Sequence, residues 1–115
     1  ACLLWGGESV LTVTGNGKGG RNQHLLLSLM ILLKSTEIKK TYTIICAGTD
    51  GTDGATDATG AMISNEDVSQ INLAEMAGYL KTFDSYTFFE KYHGLIKTGP
   101  TQTNVMDLVL VVLDE

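Results

Sequence analysis

The chain has 115 residues, 43% of them hydrophobic, which suits one globular domain with a modest core rather than several domains. Thirteen acidic residues against eight scattered Lys and Arg leave a net charge of −5, which argues against a nucleic-acid or membrane-surface partner, since either calls for clustered cations. An anionic ligand therefore has to be captured by local geometry.

In chain order, residues 2–5 and 9–14 are predicted strands joined through Gly6 and Gly7 in a hairpin. The opening ACLLWGGE has no basic segment, too short an apolar run for a signal peptide and no Met, so the chain reads as a fragment or an excised domain. Cys2 and Cys46 lie in the apolar runs CLLW and TIICAG with no C-x-x-C spacing, the pattern of buried, inert thiols in a reducing, cytoplasmic setting. The loop GNGKGGRNQH (15–24) sets four glycines around Lys18 and then Arg21 beside Asn22. A helix is predicted over 22–34. Its apolar stretch LLLSLMILL spans about half of what a bilayer requires, and it has almost no polar face, so the helix should be covered on more than one side, by the sheet and by another helix, domain or subunit.

TYTIICAG (41–48) is a predicted central strand, which completes a strand–helix–strand unit, and TDGTDGATDATG (49–60) a loop. Helices fit 66–78 and 84–92, the second with Asp84 as N-cap. The final run LVLVVL (108–113) looks like a strand buried on both faces. The pattern is α/β, a mixed sheet flanked by helices.

Gly15-x-Gly17-x-x-Gly20 follows a predicted strand and opens a helix, as a dinucleotide fingerprint does. The matching acidic residue would be Asp50, which lies beyond the usual spacing of roughly 20 residues. Lys18 is followed by Gly19, so the loop is not a Walker loop. Two readings are open. Glycines let backbone N–H groups approach an anion at the positive end of a helix capped by Asn22, with Arg21 adding a planar fork for carboxylate or phosphate; or the loop is a flexible turn with a solvated arginine. Asp50, Asp53 and Asp57 likewise could hold Mg²⁺ or orient a hydroxyl, or simply form turns. Taken as a calcium loop, the fifth and twelfth positions would be Gly54 and Ala61, which excludes that reading. In TGPTQTNVMDL (98–108), Thr101, Thr103 and Asn104 are donors for a ligand or for the loop itself. His24 and His93 have no partner at metal-ligand spacing, and no Ser–His–Asp or Cys–His arrangement is legible.

Four of these stretches, GGESVLTVTGNGKGGRNQ, AGTDGTDGATDATGA, FDSYTFF and TGPTQTNVMDL, occur in an order and combination that resembles the MOFRL domain, the C-terminal domain of the class-II glycerate kinases, which have also been labelled hydroxypyruvate reductases. The resemblance covers nearly the whole chain. It implies Rossmann-like layers in the C-terminal domain of a two-domain enzyme that moves the γ-phosphoryl of ATP to a hydroxyl of D-glycerate, with Mg²⁺, in a cleft against a nucleotide-binding N-terminal domain. On this resemblance Arg21 is the catalytic residue, stabilising the transferring phosphoryl group or clamping the glycerate carboxylate. Gly20 and Asn22 shape the same anion corner, and Gly17 and Gly19 approach the cofactor. Asp50 and Asp53 face Mg²⁺ or the substrate hydroxyls, while Thr101 and Asn104 close the pocket. A homo-oligomer is left open. The chain departs from the family pattern at His24, where Glu is usual, at Gln102, where Gly is usual, and in TFDSY, where the family has NNDSY. Two other classes remain: a stand-alone binding module that keeps the anion corner without the chemistry, and an NAD-dependent hydroxypyruvate reductase resting on the glycine fingerprint.

Overall fold

In the computed structural model, which describes residues 1–7, 11, 15–103 and 106–114, alternating apolar residues build a five-stranded sheet and longer apolar stretches build the helices that cover it. The elements run β1 (Cys2–Gly7), α1 (Arg21–Lys34), β2 (Tyr42–Gly48), β3 (Gly60–Ser64), α2 (Asn65–Gln70), α3 (Leu73–Lys81), α4 (Ser85–Lys91), β4 (Leu95–Ile96) and β5 (Asp107–Leu113). The α/β class holds, and β2 is central as expected. The predicted strand at 9–14 falls almost wholly outside the described residues.

The strand order is β1-β5-β2-β3-β4, and every described pairing is antiparallel, where the sequence had suggested a mixed sheet in Rossmann-like layers. The reason is the last strand. β1 and β2 run the same way on either side of α1, as a strand–helix–strand unit should, but β5 inserts between them and pairs antiparallel with both.

Alternation along β2 turns Tyr42, Ile44 and Cys46 toward the helices, and the register carries Ala61 and Ile63 of β3 and Val109, Val111 and Leu113 of β5 to the same side. Leu26, Leu27 and Met30 of α1, Met76 of α3 and Phe88 of α4 are fully buried against them, each contributing on the order of 2 kcal/mol. On the opposite sheet face Leu4, Met62 and Val112 are 62%, 45% and 38% exposed. Among the described residues the helices cover one face of β5, and on its other face Val112 is exposed. The extra cover expected for α1 comes from α2, α3 and α4 of the same chain, which pack around it.

The helix expected over 66–78 is two helices. Ser64 and Asp67 form a capping box that starts α2, Ile71 is extended (φ −85°, ψ 137°), and the Asn72 side chain caps α3 by accepting from Ala74 N–H. The short strands β3 and β4 carry no pattern long enough to be read in sequence. Cys2 is exposed rather than buried, because β1 is an edge strand and Cys2 pairs across from Val112 on the open face. Cys46 is buried as expected. Its surroundings, and secondarily the charge of Asp53, push its thiol up to about 12, so it stays protonated and unreactive. Among the described residues no helix is long and apolar enough to cross a membrane.

Candidate functional site

At one end of the sheet β1 and β2 finish at Gly7 and Gly48, and β5 begins between them at Asp107. The glycine loop (15–20), the aspartate loop (49–59) and the 97–103 loop meet there, and α1 starts there. Arg21, first residue of α1, donates Nε–H to Asp107 Oδ2 at 2.5 Å and Nη2–H to Asp107 Oδ1 at 3.0 Å. This is a bidentate fork between residues 86 apart in sequence. The Arg21 side chain is 40% exposed and that of Asp107 only 10%, so the carboxylate orients a guanidinium that still meets solvent. Sequence reasoning missed Asp107; the residue lies within the quoted motif TGPTQTNVMDL, but its partner emerges only when β5 is threaded between β1 and β2.

Asp53 occupies a different position from the one expected. It is 1% exposed, and each carboxylate oxygen accepts two N–H donors: Oδ1 from the backbone (2.9 Å) and side chain (3.1 Å) of Asn22, Oδ2 from the backbone and side chain of Gln23, both at 2.8 Å. The positive end of α1, expected to receive an external anion, thus receives the carboxylate of Asp53. Asp53 lies behind the helix start instead of facing a metal or substrate hydroxyl. Because both amides aim their NH₂ groups at Asp53, their oxygens, Asn22 Oδ1 and Gln23 Oε1, are buried without a partner.

Asp50 remains at the surface of the cluster. Its Oδ1 accepts from Thr52 N–H (3.1 Å) in an Asx turn, and its backbone carbonyl accepts from Thr101 N–H (3.1 Å). A Cβ on Gly48 would stand 3.1 Å from Asp50 Oδ1 and 3.5 Å from Asp107 Oδ1, so the two carboxylates flank one point at the sheet end. Thr101 Oγ1 also donates to Thr49 O at 2.5 Å, which ties the 97–103 loop onto the aspartate loop. Asn104 lies outside the described residues. The structure thus brings Gly20, Arg21, Asn22, Asp50, Asp53 and Thr101 into one loop cluster.

Gly17 and Gly19 serve a different contact. Gly17 N–H donates to Thr82 O (2.9 Å) and Lys18 N–H to Asp84 Oδ1 (2.9 Å), while Tyr86 N–H donates to Lys18 O (2.8 Å) and a Cβ on Gly19 would collide with Ser85 Oγ. The DSY segment therefore buckles the glycine loop against the start of α4. For the same reason Asp84 stands at the N-cap position of α4 without capping its backbone: its Oδ1 accepts from Lys18 N–H and from Thr87 Oγ1–H (2.7 Å). The departures His24 and Phe83 meet here, their rings stacked at 4.9 Å and 13°. Burial holds the His24 imidazole below its ordinary value, favouring the neutral ring.

Beside the Arg21–Asp107 fork a pocket of about 200 Å³ is lined by Trp5, Gly6, Gly7, Asn22, Leu25, Asp107 and Val109. A larger cavity of about 440 Å³ lies around the C-terminal end of α1, where Lys34 Nζ is already bonded to the carbonyls of Val68 and Ser69 (2.9 and 2.8 Å). We take the smaller one as the candidate site, because Asp107 of the fork and Asn22 at the start of α1 line it. Among the described residues no group of three His, Cys, Asp or Glu side chains could hold a metal by itself.

The MOFRL family profile matches residues 1–107. The chain is 46% identical to a D-glycerate 2-kinase of Thermotoga maritima over 96% of its own length and 26% of that protein, and 41% identical to the glycerate kinase of Mus musculus over 97% of its length and 23% of that protein. An uncharacterized Caenorhabditis elegans protein is 45% identical over 98% of the chain and 26% of its own length. The crystal structure of the Thermotoga maritima glycerate kinase superposes with a TM-score of 0.86 at 43% identity, over 99% of this chain and 27% of that one. The chain thus spans about a quarter of the length of these relatives, and with a profile match over residues 1–107 it belongs to the MOFRL family.

Proposed function

We propose that this domain supplies the arginine side of a glycerate kinase site, in which the γ-phosphoryl of ATP passes to a hydroxyl of D-glycerate against a second, nucleotide-binding domain of the same polypeptide. The observation that carries the reading is the Arg21 fork: a guanidinium fixed by Asp107 yet 40% exposed, at the sheet end where three loops converge. Phosphoryl transfer asks little covalent chemistry of the protein and much of oriented positive charge, and an arginine so placed is worth about 10³-fold or more in rate. The 200 Å³ pocket beside the fork suits a three-carbon hydroxy acid. Asn22 and Asp107 contribute the polar side chains of its lining.

Mg²⁺ would neutralise the phosphate oxygens of the nucleotide. Of the two aspartates considered for it, Asp53 does not fit, since both its oxygens are taken by N–H donors. Asp50 fits as a single ligand to an ion held mainly by phosphates, because among the described residues its Oδ2 takes no hydrogen bond.

The test is product analysis on the full-length polypeptide that carries this domain. With ATP, Mg²⁺ and D-glycerate, stoichiometric ADP and a phosphoglycerate are expected. Oxidation of NADH by hydroxypyruvate with no phosphorylation of D-glycerate would overturn the reading in favour of a reductase. Tight binding of D-glycerate without turnover would overturn it in favour of a binding module.

A further inference from the structure

The carboxylate of Asp53 is the anion at the N-terminus of α1, built into the protein's own chain. Its four N–H donors come from the two residues that follow Arg21, and among the described residues no Lys or Arg lies within ion-pair distance of it. Backbone packing adds a second constraint. A side chain on Gly20 would collide with the backbone of Asp53, and Gly54, at φ +62°, would bring a Cβ to 2.9 Å from Gly20 Cα. Glycine at both places lets the aspartate loop and the start of α1 lie in direct contact.

We propose, building on the function proposed above, that Asp53 is a positioning residue that acts through Arg21: it pins the backbone on which the guanidinium is mounted, while Asp107 pins the guanidinium itself. Two anchors at opposite ends of one long side chain leave it few conformations. The same loop carries Asp50 three residues earlier, so the pin also sets the distance between the arginine and that carboxylate. Asp53 touches neither substrate nor ion in this scheme.

The experiment is a double-mutant cycle in the full-length polypeptide, with activity expressed per folded molecule. Asp53→Asn, which turns an NH₂ group toward the Asn22 and Gln23 donors, should lower kcat/KM for D-glycerate by about 10- to 100-fold, as a displaced catalytic group does. The Mg²⁺ concentration for half-maximal rate should stay the same. In the Arg21→Lys background, where the fork is already lost, Asp53→Asn should cost no more than about 3-fold further. A residue that only supports the fold would give the same loss in both backgrounds, and that outcome overturns the proposal while leaving the function intact. A rise in the Mg²⁺ requirement specific to Asp53→Asn overturns it too, by making Asp53 a metal ligand. Should Asp53→Asn not fold, Gln23→Leu removes one donor: a loss of about 3- to 10-fold that disappears in the Arg21→Lys background supports the proposal, and an equal loss in both refutes it. Wild-type turnover in Arg21→Lys would instead remove the proposed function of Arg21, and this inference with it.

Discussion

At the scale of single residues, the Arg21–Asp107 pair makes function and stability separable. Lysine keeps the charge opposite Asp107 but loses the planar fork, so in the full-length polypeptide Arg21→Lys should reduce kcat by about 10³-fold while shifting Tm little. Arg21→Ala should do the same to turnover and also cost on the order of 1–3 kcal/mol of stability, because Asp107, 8% exposed, is left without its cation. Thermal melts beside steady-state rates check both. His24 supplies a pH dependence. Its folded-state value lies below the ordinary 6.5, so the unfolded chain binds the proton more readily. Its contribution to stability is present above pH 6.5 and is lost as the pH falls from there through the lowered value. Tm should therefore fall more steeply below pH 6.5 in the wild type than in His24→Gln. Phe83 shares this environment: it holds φ +56°, a conformation that favours Asn or Gly, and it does so stacked on the imidazole. The family's Asn would suit that backbone better, so the two departures offset one another through their ring contact.

At the scale of elements, α1 is placed by both of its ends. Asp53 anchors the first turn, and Lys34 in the last turn donates to the carbonyls of Val68 and Ser69. α3 depends more on its own cap. Asn72→Ala removes the hydrogen bond to Ala74 N–H (2.7 Å) at the break between α2 and α3 and should cost about 1 kcal/mol in denaturant unfolding. Because Asn72 lies at the opposite end of α3 from Thr82, which meets the glycine loop, turnover per folded molecule should not change. A fall in kcat in this variant would mean that the α2–α3 break is coupled to the site.

At the scale of the molecule, the described helices cover one face of the sheet and leave large apolar side chains exposed on the other. On the far side of the sheet Leu4, Met62 and Val112 stand exposed. Expressed by itself, the 115-residue chain should bind a hydrophobic dye or self-associate at high concentration. Leu4→Lys together with Val112→Lys should suppress that behaviour without unfolding the chain. A dye-silent monomer before substitution would show that the face is not sticky enough to count. The isolated chain should also show no ATP turnover with D-glycerate, since the nucleotide contacts of the proposed function belong to another domain; turnover that scales with the amount of chain would refute this.

The sequence by itself determined the local elements that carry their own signal: α1 from its apolar run, β2 and β5 from their β-branched stretches, and α4 at the DSY segment. The glycine loop alone left Arg21 open between an anion contact and a solvated turn, and only the resemblance to the MOFRL domain singled it out. What the sequence could not supply were the relations between distant segments. Asp107 becomes the partner of Arg21 only because β5 inserts between β1 and β2. Asp50 and Asp53 look alike in DGTDG, yet the fold turns the second inward onto the helix N-terminus and leaves the first at the surface. Likewise β5 has the composition of a strand buried on both sides, but burial depends on how many layers the whole chain can supply, and the described helices all lie on one face. Local propensity and periodicity are carried by neighbours in sequence; the partner of a charge and the cover of a sheet face are decided by residues many positions away, which only the packed structure brings together.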